Sequence, residues 1–436
     1  MNIDDITNIR KRNFKIYKQT LLTNQKRLIE KQQEEHIFIS TLSIEALEKK
    51  LDKISELSDL EYPLLGIPFA VKDNIDVKDF DTTAGCKEYK YTPKQSALSV
   101  QLLEKAGAIC IGKTNLDQFA TGLVGVRSPY GTPINYYNTE YIPGGSSSGS
   151  ASSITAGYVP FALGTDTAGS GRIPAAFQNL FSIKPTRGIV SCSGVVPACK
   201  SLDCIAIFSN NIKDCSTILD IISKYDENDI YSRENIQKEV SEIKKIAIPL
   251  NDNLKFFGNN EYEKAFTNKI EKIKKKGYEI EEIDFSPMFY TAKLLYDGPW
   301  VAERYHAVGE FIEEHSDSVL STTKKIIMGG KFPKALDYFD AEYKRLEFKN
   351  IFENYAKKFY CFLMPTAGTI YKIKDIEKEP IILNSNLGYY TNFMNLLDCS
   401  AIALPSSITK NNLPFGITIF APAFNDKNLI AIANNL

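Results

Sequence analysis

The chain has only three histidines, His36, His306 and His315. A hydrolase that pairs its nucleophile with an imidazole base would have to use one of these three. It has eight cysteines but no Cys-x-x-Cys pair, and several lie in apolar runs such as Ala108-Ile-Cys-Ile111. They read as reduced, mostly buried thiols, which excludes a zinc framework and a disulfide scaffold. No apolar run approaches the ~20 residues needed to cross a bilayer. The opening Met-Asn-Ile-Asp-Asp-Ile carries two acids and no hydrophobic stretch, unlike a secretory or transit signal, so the expected compartment is the cytoplasm. A dense block of one charge is missing too: 52 Lys and Arg stand against 53 Asp and Glu, a formal net charge of −1. Nucleic acid and anionic membranes are therefore not expected as partners, because affinity for phosphate comes mostly from clustered Lys and Arg.

What is present is a chain of 436 residues with 43% apolar composition, long enough to bury a large core without metals or disulfides. Residues 6–34, rich in Lys, Gln, Glu and Leu, read as one solvated helix. A short strand at His36-Ile-Phe-Ile and a helix from Ser43 to Leu57 follow. From Pro63 onward apolar runs alternate with helical patterns. The runs are Leu65–Val71, Ala108–Ile111, Val159–Leu163, Cys204–Phe208, Ile246–Leu250, Cys361–Met364, Ala401–Leu404 and Pro414–Phe420. Strands apolar on both faces and separated by helices indicate an α/β architecture: a large mixed β-sheet covered by helices on both faces. We expect a helical segment over residues 1–60 and one large domain over 61–436, with a helical excursion at 288–358 and an exposed connection at Lys224–Lys244.

Gly107-Ala-Ile-Cys-Ile-Gly112-Lys113-Thr114 formally matches a phosphate-binding loop. Its context is wrong, since a helix precedes it and its middle residues are themselves the strand. The central feature is instead Pro143-Gly-Gly-Ser146-Ser-Ser-Gly-Ser150, then a run of small residues, a strand, and Gly164-Thr-Asp-Thr-Ala-Gly-Ser170-Gly-Arg172. By composition alone such a stretch is as well read as a flexible linker. Its position, leading straight into a helix and a buried strand, argues otherwise. Small residues ending the second strand let backbone N–H groups converge beside the Ser170 hydroxyl, where they stabilise an oxyanion; the plainer reading is a helix cap. A nucleophilic serine needs a base. Lys72, ending the run Ile67–Val71, is a candidate because burial lowers a lysine pKa, although most lysines are solvated surface charges.

Lys72 after an apolar strand, Gly-Gly-Ser146-Ser-Ser-Gly-Ser, and the Ser170 motif, with the two serines 24 positions apart, resemble the amidase signature family. The resemblance implies that family's fold and a triad: Ser170 as nucleophile, Ser146 as a bridging serine in a cis peptide, and Lys72 as the final base. It implies an oxyanion hole from the backbone of Thr167, Ala168, Gly169 and Ser170, with Asp166 and Arg172 as a structural pair. It implies no cofactor or metal.

A narrower resemblance covers most of the chain. Gly112–Gly131, Gly194–Asp203, Tyr296-Asp-Gly-Pro-Trp-Val-Ala-Glu-Arg304-Tyr and Ala421-Pro-Ala-Phe424 are similar to segments of the allophanate hydrolases. This implies a small anionic amide substrate, its carboxylate held by Tyr296 and Arg304 and its other end touching backbone near Gly122. A guanidinium fork suits a planar carboxylate, although Arg304 beside Glu303 equally suits a surface ion pair. The expected activity is hydrolysis of allophanate (urea-1-carboxylate) with release of ammonia. The alternatives are a broader amidase, the amidase component of an amidotransferase, or a non-catalytic subunit. The resemblance also implies a homodimer. The chain stops at Leu436 without the second domain usual in these enzymes, so the product is expected to lose carbon dioxide either unaided or through a separate decarboxylating partner.

Overall fold

The computed structural model describes residues 2–55, 57, 61–239 and 245–436. Eleven strands form one sheet: β1 Phe38–Thr41, β2 Pro68–Lys72, β3 Ile109–Thr114, β4 Phe161–Thr165, β5 Phe181–Lys184, β6 Ile205–Ser209, β7 Lys245–Pro249, β8 Glu279–Ile283, β9 Cys361–Pro365, β10 Cys399–Ile408 and β11 Pro414–Pro422. Their order is β1-β3-β2-β4-β6-β5-β10-β11-β9-β7-β8. Strands β3, β2 and β4 run parallel, as do β9, β7 and β8, and the middle of the sheet is antiparallel. The sheet is thus mixed, as expected.

Every residue of β2, β3, β4, β6 and β9 is buried. Successive side chains point to opposite faces, so both faces of these strands are covered. This explains the unbroken apolar runs. The edge strand β8, Glu-Ile-Glu-Glu-Ile, shows no such run and escapes a hydrophobic reading of the sequence. Its acids face outward and Glu279 and Glu281 pair with Lys245, so charge guards the open edge against pairing with another chain.

The N-terminal helix expected over 6–34 is two helices, Ile3–Arg12 and Phe14–Glu35. Asn13 breaks it: its φ/ψ of −156/96 is extended and its side chain caps the second helix at Ile16 N. An asparagine at the cap satisfies a free N–H that a continuous helix would leave to the preceding turn. β1 then pairs with β3, so the first 60 residues also contribute a strand to the sheet. The helix after it ends at Ile54; residues 56 and 58–60 lie outside those described, as do 240–244 of the charged connection. The described part of that connection is largely exposed but tied down, with Asp226 accepting from Ser191 and Ser193 and Arg233 paired with Asp398. Residues 288–358 are mainly helical, ending in the helix Ala335–Ala356. The Gly107–Thr114 segment is β3 preceded by the helix Leu98–Lys105, which leaves no phosphate loop there.

Candidate active site

Strands β2 and β4 are neighbours, with Val71 opposite Leu163. Their ends therefore deliver Lys72 and Thr165 to the same place, and Lys72 Nζ lies 2.7 Å from Thr165 Oγ1. It lies 2.8 Å from Ser146 Oγ. The peptide bond between Gly145 and Ser146 is cis. Only glycine fits before it, since a Cβ on Gly145 would stand 2.1 Å from Asp117 Oδ2. Ser147 fastens the turn to β4, accepting from Thr165 N at 3.2 Å and donating to Thr165 O at 3.0 Å. The helix Ser148–Thr155 follows, its serines small enough to pack into the sheet and bonded to it, as Ser150 is to Leu163 O.

Lys72 is fully buried, and burial pushes its ammonium pKa down to about 7 although Asp117, Asp203 and Asp166 pull it back up. A large fraction is therefore free amine near neutral pH, with a lone pair to take a proton.

Ser170 follows β4 in a turn and is 3% exposed, its hydroxyl donating to Gly122 O at 3.5 Å. Asp166 organises the turn. Its carboxylate accepts from Gly171 N at 3.1 Å and Arg172 N at 3.3 Å, capping the helix Arg172–Phe177, and pairs with Arg172 Nη2 at 2.8 Å. Burial raises the Asp166 carboxyl pKa, but Arg172, Lys184 and the Gly169 N–H together outweigh it and the net shift is downward. One expectation changes here. The Gly169 N–H, assigned to the oxyanion hole, donates to Asp166 Oδ1 at 2.8 Å because the turn bends that amide back over the carboxylate. Among the described residues the N–H groups of Thr167, Ala168 and Ser170 have no protein acceptor, so three donors remain beside the Ser170 hydroxyl.

Arg304 lies on the helix Val301–Glu314 and is 1% exposed. The surface ion pair with Glu303 does not form, since Glu303 instead accepts from Ser201 N and Oγ. Arg304 donates to Thr121 Oγ1 at 3.0 Å and to Tyr296 OH at 3.1 Å, and its Nε is buried without a partner. Among the described residues no carboxylate bonds to it, so a buried guanidinium stands with donors to spare. A cavity of about 750 Å³ has Tyr296 and Arg127 in its wall.

Sequence reasoning gave no role to Thr165, Asp117, Thr121, Arg127 or Asp203. All five sit inside segments already singled out, but their contacts come from other strands and loops. Asp203, pushed up to about 6 by burial, accepts from the Thr167 hydroxyl and from Ala198 N and so braces the oxyanion turn.

A mixed sheet carrying a buried lysine bonded to a serine, and a second serine on a turn of free N–H groups, are the features on which a family assignment rests. The chain belongs to the amidase family, whose model matches residues 19–430. It is 43% identical over 407 residues to urea amidolyase of Saccharomyces cerevisiae, a match covering 92% of this chain and 22% of that protein. It is 34% identical to a glutamyl-tRNA(Gln) amidotransferase component of Agathobacter rectalis, covering 87% of this chain and 81% of that one. An allophanate hydrolase structure from Kluyveromyces lactis superposes with a TM-score of 0.94 at 40% identity, covering 99% of this chain and 71% of the other. The chain thus spans about a fifth of the length of the urea amidolyase it matches.

Proposed function

We propose that the protein hydrolyses allophanate, with Ser170 as nucleophile, Ser146 as proton bridge and Lys72 as base. The observation that carries the reading is the buried Lys72 held 2.8 Å from Ser146, together with Arg304, a buried cation beside Tyr296 with no acid partner among the described residues.

Neutral Lys72 takes the Ser146 proton while Ser146 takes the Ser170 proton, and Ser170 Oγ bonds to the terminal carbamoyl carbon. The carbonyl electron pair moves onto oxygen, where the N–H groups of Thr167, Ala168 and Ser170 stabilise it. As the oxyanion collapses, the C–N bond breaks and the nitrogen leaves as ammonia, its third proton returned from Lys72 through Ser146. Water, deprotonated by the same route, cleaves the acyl-enzyme to N-carboxycarbamate, which loses carbon dioxide. Arg304 and Tyr296 hold the substrate carboxylate, and the backbone at Gly122 lines the other end.

A separate partner for the decarboxylation and a cytoplasmic location belong to the same proposal; the unpaired state of all eight cysteines supports the second. So does a homodimer. Leu336, Phe339, Tyr343 and Leu346 form an exposed apolar stripe on the helix Ala335–Ala356. Sedimentation of wild type against Phe339→Glu tests it, a monomeric wild type excluding it.

Ammonia release from allophanate, with malonamate, biuret, glutamine and propionamide alongside, tests the activity. Preference for allophanate and malonamate is expected. Turnover of neutral amides alone points to the broader amidase, and glutamine turnover to an amidotransferase component, the role named for the Agathobacter rectalis relative.

A further inference from the structure

The loop from Asp117 to Arg127 touches both ends of the site. Gly122 O accepts from the Ser170 hydroxyl at 3.5 Å, and the adjacent Thr121 Oγ1 accepts from Arg304 Nη1 at 3.0 Å. Thr121 Oγ1 spends its own proton on Phe119 O at 3.1 Å, which turns its lone pairs toward the guanidinium. Two consecutive residues therefore join the attacking oxygen to the cation.

The loop is built to hold that spacing. Asp117, fully buried, accepts from Val124 N at 3.2 Å, Gly125 N at 2.9 Å and Arg127 N at 2.9 Å. Gln118 N donates to Arg127 O at 2.7 Å, closing the loop at its base. Phe119 and Ala120 both hold positive φ, 52° and 51°, a conformation non-glycine residues keep only where their surroundings enforce it. The Arg127 side chain braces Thr121, the residue that follows them. It is 4% exposed and bonds to no carboxylate among the described residues; its Nη1 donates to Thr121 O at 3.0 Å and its Nη2 to Pro380 O. A charged group is thus spent on a backbone carbonyl, which fixes the residue that fixes Arg304.

We propose that Thr121 and Arg127 are positioning residues that set the distance between the scissile amide and the substrate carboxylate, and so the length of anion the enzyme accepts. The inference rests on the function proposed above. With the loop fixed, the pocket suits an amide whose carboxylate is one atom removed from the amide carbon, as in allophanate and malonamate. A succinamate, one methylene longer, pushes its carboxylate past Arg304. Freed of the Thr121 contact, Arg304 shifts and the discrimination by length falls.

The test is kcat/KM for malonamate, succinamate and propionamide in the wild type and in Thr121→Val, Thr121→Ser and Arg127→Met, each checked by thermal melting. In Thr121→Val and Arg127→Met the malonamate-to-succinamate ratio should drop about tenfold or more, the effect of losing a hydrogen bond to a charged group. The loss on malonamate should appear mainly in KM, while propionamide suffers less. Thr121→Ser, which keeps the hydroxyl, should restore the ratio. A ratio unchanged in Thr121→Val, or equal losses on all three substrates, overturns the inference and leaves the function standing. A wild type that turns over propionamide as well as malonamate overturns both.

Discussion

Lys72 and Thr165 end two neighbouring parallel strands, and their side chains meet at 2.7 Å. The contact gives the buried amine a second anchor besides Ser146, which holds it within proton-transfer reach of the bridging serine. Thr165→Val removes an acceptor that favours the charged lysine, so the Lys72 pKa should fall further. We expect kcat to drop about tenfold, the scale of one lost hydrogen bond to a charged group, with the acidic limb of the pH profile moving to lower pH. A limb that stays put would show that Thr165 does not contact the working base.

Ser170→Ala, Ser146→Ala and Lys72→Ala should each lower kcat for allophanate by at least about 1000-fold, and the losses should not add, because the three act as one unit. Double variants no slower than the singles are the expected result in an ammonia-release assay. Ser170→Ala retaining a tenth of the activity excludes it as nucleophile.

The pH dependence of stability carries its own signature. The Lys72 pKa of about 7 lies below the ordinary lysine value of 10.5. Between those values the unfolded chain holds a proton that the folded chain does not, so stability from this group rises with pH from about 7 to about 10.5 and is flat below. Lys72→Met cannot titrate there. The melting-temperature difference, wild type minus Lys72→Met, should grow more positive from pH 7 to pH 9.5; a constant difference contradicts a depressed pKa.

Arg304→Gln removes the charge and keeps some polar contact. KM for allophanate should rise about 100-fold, as expected where a charge-assisted pair is lost, while propionamide turnover changes far less. Equal losses on both substrates exclude a carboxylate clamp.

Asp166 and Arg172 are both fully buried. Asp166→Ala leaves Arg172 as an uncompensated charge and uncaps its helix, so urea unfolding should show a loss of about 3–5 kcal/mol. Asp166→Ala with Arg172→Met should recover part of that loss, because the stranded charge is gone.

Much of this was legible in the sequence because burial on both faces writes itself as unbroken apolar runs. Eight of the eleven strands stand on such runs. β8 did not, since its edge position favours acids, and the break at Asn13 was hidden inside an otherwise helical composition. The serine motifs were legible because a close-packed turn needs small residues: a Cβ on Gly169, at φ +124°, would stand 2.3 Å from Thr391 Oγ1. Arg304 was open between clamp and surface pair, since one sequence cannot tell which face of a helix is covered.

The sequence by itself determined the α/β class, the glycine and serine turns, and the scarcity of histidine, because these follow from residue type and local spacing. Tertiary structure alone decided that Lys72 reaches Ser146, 74 positions away, and that Thr121 reaches Arg304, 183 positions away. The physical reason lies in the strands themselves. Where a strand is apolar on both faces, a one-residue slip leaves the pattern unchanged, so order and register are chosen only when the whole sheet packs. That packing sets Val71 opposite Leu163, and with it the place where the lysine ends.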